Sequence, residues 1–534
     1  MASRRPLDPQ SDGLRGALEE ALGADRVATD EASRRAYATD ASPCVVDPWG
    51  IVFARSEDEV LATLRVCRAF RVPVTPRASG TSLSGAAIGP GVILDTSGFA
   101  RILEVDADRG WVKVEPGVLL AVLNARLAQE GVRFAPDPGS YDLCRIGGMI
   151  GHNASGYRSV KYGVTRDHVL GLRVALVDGR VLEARDMRLE TPDWQELVRQ
   201  VPALDRIRVD IQDHRDAIRA ARRPVRKSSC GYALEAISQS LDSGIFPLAS
   251  LFVGSEGTLG IVTEATLRVH PVPGERVTVL VYLERFEDLG ACAADLLALG
   301  PSAIEAMDGT SLDLVDRESL GIPSSARSMV LLEFDEGDLD RIARTVADEI
   351  GLRYALSRPV EVADDPERQA ALWAVRRAVL PRIIQRPGPR RAWGFVEDPV
   401  VPRERVAEFV GFLSDLARRH GTEAGIYGHV GDGNTHFRPF FDPTDPEDFE
   451  RMLALREEFD AAVLERFRGV PSGEHGVGRI RADILERTWG PEVYEVMRRI
   501  KEALDPDGLL NPGVLFSRDP WWSSWAGLES RTPM

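Results

Sequence analysis

The chain has 534 residues and a formal charge of −16, from 66 Lys and Arg against 82 Asp and Glu. That length calls for two or three domains. A hydrophobic share of 44% excludes a chain that is disordered throughout, the lack of any run of 18 apolar residues excludes a spanning helix, and the acidic balance argues against a nucleic-acid partner.

The first 13 residues carry no apolar stretch, and Arg4-Arg5 followed by Pro6 and Asp8 makes a poor export signal. Leu14, Ala17, Leu18, Ala21 and Leu22 recur at helical spacing before Gly23. Ser56 opens a capping-box pattern, and Val60, Leu64 and Cys67 mark the buried stripe of a second helix. The texture then changes to short strands at 72–75, 92–95, 102–105 and 111–114, separated by glycine and proline. Asp178-Gly179 between two apolar runs predicts a hairpin. Pro271-Val272-Pro273-Gly274 reads as a domain boundary. Beyond it, strands at 277–283 and 328–334 alternate with helices at 286–299 and 339–350, which is ferredoxin-like spacing. Helices at 369–384 and 403–419, strand and loop over 421–441, and helices near 448–468 and 492–504 complete the order.

Only Lys113, Lys161, Lys227 and Lys501 are lysines among the 66 basic residues, which reads as coding bias towards arginine. The five cysteines, Cys44, Cys67, Cys144, Cys230 and Cys292, are odd in number and form no C-x-x-C element. That predicts a reducing cytoplasm, no disulfide framework and no iron–sulfur ligand set.

Three glycine-rich regions carry the chemistry. The loop Pro76-Arg77-Ala78-Ser79-Gly80-Thr81-Ser82-Leu83-Ser84-Gly85 exposes successive backbone N–H groups of the kind that cradle phosphate, although it is neither a P-loop nor a G-x-G-x-x-G fingerprint. The segments 146–156 and 254–263 place glycines where backbone approaches a flat or phosphorylated ligand, or another turn, closely. The third region is the sharpest. Gly428-His429-Val430-Gly431-Asp432-Gly433-Asn434-Thr435-His436 sets two histidines seven apart, and Ser472-Gly473-Glu474-His475-Gly476-Val477-Gly478 adds a carboxylate and a third imidazole. Two imidazoles and a carboxylate suit a divalent metal such as zinc or manganese, and the remaining imidazole suits a general base. The other histidines read as structural, with His152 set apart by its place in a glycine-rich segment.

These segments resemble the FAD-linked D-2-hydroxyacid dehydrogenases of the vanillyl-alcohol oxidase superfamily, which include D-lactate and D-2-hydroxyglutarate dehydrogenases and the glycolate oxidase D subunit. The likeness runs from about Tyr37 to Phe516. It implies an α+β fold: a FAD-binding domain of two α/β subdomains, with a cap built on an antiparallel ferredoxin-like sheet. The expected division is a helical segment at 1–36, the FAD-binding domain at 37–273, the cap at 274–469, a return to the FAD domain at 470–516 and a tail at 517–534.

The resemblance places the FAD pyrophosphate on Arg77, Ala78, Ser79, Gly80, Thr81, Ser82 and Leu83. It lines the rest of the cofactor with Pro138, Ser140, Gly147, Gly148, Asn153, Gly156, Glu256, Gly260, Ile261 and Asn511. It carries the metal ligands onto His429, His436 and Glu474, the base onto His475, and the substrate-carboxylate clamp onto Arg376. The tail motif departs from the family: Asn511-Pro512-Gly513 is followed by Val514, where a lysine is usual. Longer relatives continue into a cysteine-rich iron–sulfur region that this sequence does not show.

The implied activity is oxidation of a D-2-hydroxy acid, with D-lactate favoured over 2-hydroxyglutarate or glycolate. Electrons would leave to an external acceptor: a quinone, a cytochrome, an electron-transfer flavoprotein or an iron–sulfur subunit. The expected setting is cytoplasmic, or peripheral at the inner membrane face, and a homodimer is left open. Two rival readings stand beside this one, a metal hydrolase using His429, His436 and Glu474, and an inactive flavin-binding assembly subunit. Trp521, Trp522 and Trp525 are expected to anchor the tail on the chain's own surface in preference to docking a redox partner.

Overall fold

The computed structural model describes residues 11–525. The Arg4-Arg5 reading lies outside the described residues, as do the last nine positions of the tail. The helix predicted from Leu14 spans Ser11–Leu22. The second runs Glu57–Ala69, with the Ser56 side chain accepting from Glu59 N and with Val60, Leu64 and Cys67 buried.

Two sheets form the first half. In the four-stranded sheet, Gly50–Phe53, Val92–Asp95 and Val74–Arg77 run parallel, and Val27–Ala28 closes one edge antiparallel. Residues far along the chain return to this sheet: Val74 N donates to Leu509 O, and Asn511 N donates to Val74 O. The second sheet has six strands, ordered Ile245–Pro247, Val181–Arg188, Val169–Ala175, Ile261–Arg268, Trp111–Val114 and Ile102–Asp106, each pair antiparallel. The Asp178-Gly179 hairpin joins its second and third strands.

The seven-stranded antiparallel sheet beyond residue 274 explains a feature of its sequence. Val277, Val279, Val281 and Leu283 pack into one apolar cluster with helices Leu289–Leu297, Leu339–Arg353 and Val406–Arg419. Leu280 and Tyr282 face the other way, into a cluster with helix Pro366–Ile384. A strand covered on both faces reads as a continuous apolar run, because neither set of alternate positions meets water.

The pattern predicted over this region lacks one strand, Ala303–Asp308. With it the order is strand, helix, strand, strand, helix, strand, and the spatial order is Glu361–Ala363, Val277–Leu283, Ser328–Phe334, Ala303–Asp308. That is the complete ferredoxin-like unit. The strands Ala424–Gly428 and His436–Phe441 extend the same sheet and carry the histidine-rich turn between them.

The tryptophans of the tail are packed, not exposed. Trp525 is fully buried, with its ring centroid 5.1 Å from those of Trp393 and Trp521, and Trp521 stacks on Phe395 at 5.2 Å. All five cysteines are free and buried. Among the described residues no helix is long and apolar enough to cross a membrane.

Where the second sheet meets the cap, His270 and His168 share a hydrogen bond of 3.1 Å, and His168 Nε2 donates to Tyr162 O at 2.8 Å. Burial pushes the His168 imidazole down to about 4; the Tyr162 carbonyl offsets part of this and His270 adds to it. His168 is therefore neutral in the folded chain at pH values where the unfolded chain binds a proton. Its contribution to stability is complete above pH 6.5 and is lost as the pH falls towards 4, a difference of up to about 3 kcal/mol. Urea denaturation at pH 7 and pH 4.5 should show a His168→Asn protein losing less stability than the parent. Equal losses would remove His168 as a source of acid sensitivity.

Candidate functional site

The three glycine-rich regions converge. The Ser84 hydroxyl donates to His475 O at 2.9 Å, and Arg479 N donates to Ser84 O at 2.8 Å, joining the first loop to the third region. Glu256 ties in the second, accepting from Val477 N at 2.7 Å and Gly478 N at 2.9 Å. Asn511 completes the junction, donating to Ala86 O and Glu256 O and sharing a contact with the Thr75 hydroxyl.

The structure divides the expected cofactor residues into two kinds. Arg77, Asn153, Glu256 and Asn511 have their polar groups engaged within the protein. Arg77 donates to Thr39 O and Ala87 O, lies over the Tyr37 ring and packs its guanidinium against Gly80 of the loop. The Asn153 side chain accepts from Arg166 N and donates to Ser228 O. Gly147, Gly156 and Gly260 pack directly against Pro116, Asp137 and Val174, where any side chain would collide. These residues tie the glycine-rich segments to one another and to the surrounding chain.

Ala78, Ser79, Gly80, Thr81, Ser82 and Leu83 form the loop that follows strand Val74–Arg77, and Gly148 packs against Ala78. The Ser79 hydroxyl is buried without a hydrogen-bond partner among the described residues, and a phosphate oxygen would satisfy it. Pro138 and Ser140 sit in a turn in which Pro138 O accepts from Tyr141 N, and Ser140 O accepts from Leu143 N and Cys144 N. Ile261 is buried at the start of its strand. His152 sits between Gly148 O and the Ser82 hydroxyl, each at 3.2 Å, and burial pushes its imidazole down to about 4. It is a neutral support for the loop.

The second centre lies where His429, at the end of strand Ala424–Gly428, and His436, at the start of the next, meet the 472–478 turn. Three imidazole Nε2 atoms surround Glu474 Oε1: His429 at 3.1 Å, His436 at 3.5 Å and His475 at 3.6 Å. Each ring is held from behind. His429 Nδ1 faces Glu305 Oε1 at 2.6 Å, His436 Nδ1 faces Glu397 O at 3.2 Å, and His475 Nδ1 faces Glu397 Oε1 at 2.8 Å. An acceptor on Nδ1 fixes the tautomer that leaves Nε2 a lone pair. The lone pairs of His429 and His436, beside the Glu474 oxygen, suit a divalent cation and leave the lone pair of His475 for a proton.

The electrostatics follow from the partners. Burial opposes charge on His429, but Glu305 and Glu474 outweigh it and push the imidazole up to about 9, so a cation bound there would take the place of the Nε2 proton. At His436, burial and the neighbouring imidazoles outweigh Glu474 and Asp398 and push it down. Lys227 and His429 overcome burial to hold Glu474 well below the usual carboxylate range.

Asp398, His436, Glu474 and His475 offer ligand atoms within 4.8 Å of one another, a set that contains Asp398 and omits the expected His429. Hydrogen bonding argues against Asp398 as a ligand. Its Oδ2 accepts from the Ser472 hydroxyl at 2.6 Å, His475 N at 2.8 Å, and Gly473 N and Glu474 N at 3.0 Å, while Oδ1 accepts from Asn434 Nδ2 at 2.9 Å. Asp398 holds the turn. The His475 side chain is 20% exposed, against 6% for His429 and His436, which makes it the imidazole most open to an incoming molecule.

Arg376 lies beside this centre. Its Nε donates to Glu305 Oε2 at 2.8 Å, and its guanidinium sits between the rings of Tyr157 and Tyr427, 5.2 and 4.9 Å from their centroids. It is 4% exposed, and its terminal nitrogens form no hydrogen bond among the described residues. A buried guanidinium with an open fork suits a carboxylate.

Sequence reasoning assigns no role to Glu305, Glu397, Asp398 or Lys227. Lys227 Nζ lies 2.8 Å from the Ser155 hydroxyl and 3.0 Å from Glu474 Oε2, and it is buried. A lysine retained in a chain that otherwise uses arginine is the signal that could have found it.

Comparison with known proteins decides the family. A FAD binding domain model matches residues 48–185, and a model of the C-terminal domain of FAD linked oxidases matches residues 272–515. The chain is 31% identical to the glycolate oxidase subunit GlcD of Bacillus subtilis over 94% of this chain and 96% of that protein. The chain belongs to the FAD-linked oxidase family.

It is also 30% identical to a D-lactate dehydrogenase of Anaerostipes hadrus, covering 88% of this chain and 89% of that one. Against a D-2-hydroxyglutarate dehydrogenase of Pantoea ananatis it is 31% identical over 91% of its own length, but spans only 50% of that relative. Among solved structures, a 4-ethylphenol oxidase from Gulosibacter chungangensis superposes with a TM-score of 0.69 at 17% identity, covering 97% of this chain and 99% of that one. The p-cresol methylhydroxylase structure superposes with a TM-score of 0.67 at 15% identity, covering 96% and 97%. These two show the shared fold, a FAD-binding part with a cap on an antiparallel sheet. This FAD-linked oxidase is an oxidoreductase, which sets aside the hydrolase reading of its histidines.

Proposed function

We propose that this FAD-linked oxidase converts a D-2-hydroxy acid, with D-lactate the favoured substrate, to the 2-keto acid. One observation carries the reading: the open fork of Arg376 and the His429 ring of the histidine centre stand on the two oxygens of Glu305. A carboxylate and the hydroxyl beside it present that pair of demands.

Arg376 binds the substrate carboxylate, and the rings of Tyr157 and Tyr427 on its two faces keep water from competing. His475 takes the hydroxyl proton at Nε2, while Glu397 holds Nδ1–H and stabilises the imidazolium that results. His429, His436 and Glu474 would hold a divalent ion, zinc or manganese, whose chemistry is to favour the deprotonated hydroxyl. Residues 77–83 would hold the pyrophosphate of FAD, which would supply the acceptor for the Cα hydride. The FAD-binding part would span 37–273 with its return at 470–516, and the cap 274–469. Electrons would then pass to an external acceptor.

Anaerobic mixing with a panel of D- and L-hydroxy acids tests this, with bleaching of the flavin band as the readout. D-lactate should bleach it and L-lactate should not. Faster bleaching by D-2-hydroxyglutarate would move the substrate to dicarboxylates. A flavin that no D-2-hydroxy acid reduces would leave the assembly-subunit reading in its place.

A further inference from the structure

We propose that Glu305 is a positioning residue that couples the carboxylate clamp to the metal centre. The proposal rests on the reading above, in which Arg376 is the clamp and His429 a ligand.

Glu305 is fully buried on the strand that the sequence did not reveal, Ala303–Asp308. Its two oxygens serve different partners. Oε1 accepts from His429 Nδ1 at 2.6 Å, and Oε2 accepts from Arg376 Nε at 2.8 Å. A carboxylate is rigid and planar, so fixing one oxygen fixes the other. Register explains the placement. Ala306 pairs with Gly428 and Met307 with Tyr427, which sets Glu305 beside the residue that follows Gly428. Arg376 reaches Glu305 from helix Pro366–Ile384, which packs on the sheet face where Met307 is buried.

Two consequences follow. Arg376 orients Glu305, Glu305 orients the His429 ring, and the ring aims Nε2 at Glu474. Outer-shell carboxylates of this kind both fix the imidazole and raise its basicity as a ligand. Conversely, a cation on His429 draws charge from Glu305 and leaves the Arg376 fork more attractive to an anion. A change at Arg376 should therefore be felt at the metal, although the two sites share no ligand atom.

A double-mutant cycle on the FAD-loaded protein separates this route from others. Zinc affinity is measured by competition with a chromogenic chelator, with no substrate present. Arg376→Lys keeps the charge but loses the Nε contact, and should weaken zinc about tenfold when Glu305 is present. In a Glu305→Gln background the same change should weaken zinc less than twofold. Glu305→Asp keeps the charge and cannot span both partners, so it should abolish the dependence in the same way and serves if the Gln variant does not fold. An equal Arg376→Lys effect with and without Glu305, or no effect in the parent, overturns the coupling and leaves the metal centre standing. A parent protein that takes up no zinc overturns both.

Discussion

A His475→Ala protein should retain its FAD and its fold, yet reduce the flavin with D-lactate about 1,000-fold more slowly than the parent. General-base catalysis by a positioned side chain is worth on the order of 100- to 10,000-fold. The geometry places His475 in the middle of that range or above it. Its ring is held by one hydrogen bond, from Nδ1 to Glu397 Oε1, and Glu397 is itself fixed by Arg438 and Arg481. No other imidazole of the centre is as open: His429 and His436 are almost fully enclosed. Rapid mixing under anaerobic conditions measures the rate directly, and the flavin absorbance before mixing reports cofactor retention. Unchanged flavin reduction in the variant would remove His475 from the proton transfer.

The second large effect is expected at Asp398, which the proposed reaction does not touch. Asp398→Ala should lower the unfolding free energy by about 4 kcal/mol and abolish zinc binding. The backbone N–H groups of Gly473, Glu474 and His475 all donate to one buried carboxylate oxygen. Removing it takes this partner from the Glu474 and His475 N–H groups and the Ser472 hydroxyl, at roughly 1–3 kcal/mol each, partly relieved as the turn loosens, while Gly473 N keeps the Asp398 main-chain O at 2.9 Å. Loosening is the damage, because the same three residues carry the carboxylate and one imidazole of the centre. Asp398→Asn retains an acceptor at that position and should lose about half as much. Urea denaturation after dialysis against a chelator isolates the packing role from any metal contribution. A chelated Asp398→Ala protein as stable as the chelated parent would sink this account.

The histidine centre is legible in the sequence because its parts are short-range. His429, His436, Glu474 and His475 sit in turns where glycine is needed, and such turns stand out from the surrounding chain. The residues proposed to hold the cofactor are legible only through resemblance, for a structural reason. Arg77, Asn153, Glu256 and Asn511 look like ligand-binding groups by type, but their polar atoms are taken up by the protein. Chemical type alone does not say which way a side chain faces. Glu305 escapes notice for the opposite reason. Its strand, Ala303–Asp308, contains two acids and is covered by protein on both faces, so neither alternation nor an unbroken apolar run marks it. Lys227 and Glu474 are 247 positions apart, and only folding makes them neighbours.

The return of the chain to its first sheet has a consequence for biosynthesis. Thr75 meets Asn511 across 436 positions, and Ser84 meets His475 across 391. Loops of that size close late, because loop entropy must be met before the contacts can repay it. On the ribosome the Arg77–Leu83 loop emerges with its opposing wall still unmade. The contacts of Asn511 with Thr75, Ala86 and Glu256 form only when residue 511 has left the exit tunnel. Under the proposed assignment of that loop to FAD, a truncated product would carry the loop without the residues that close around it.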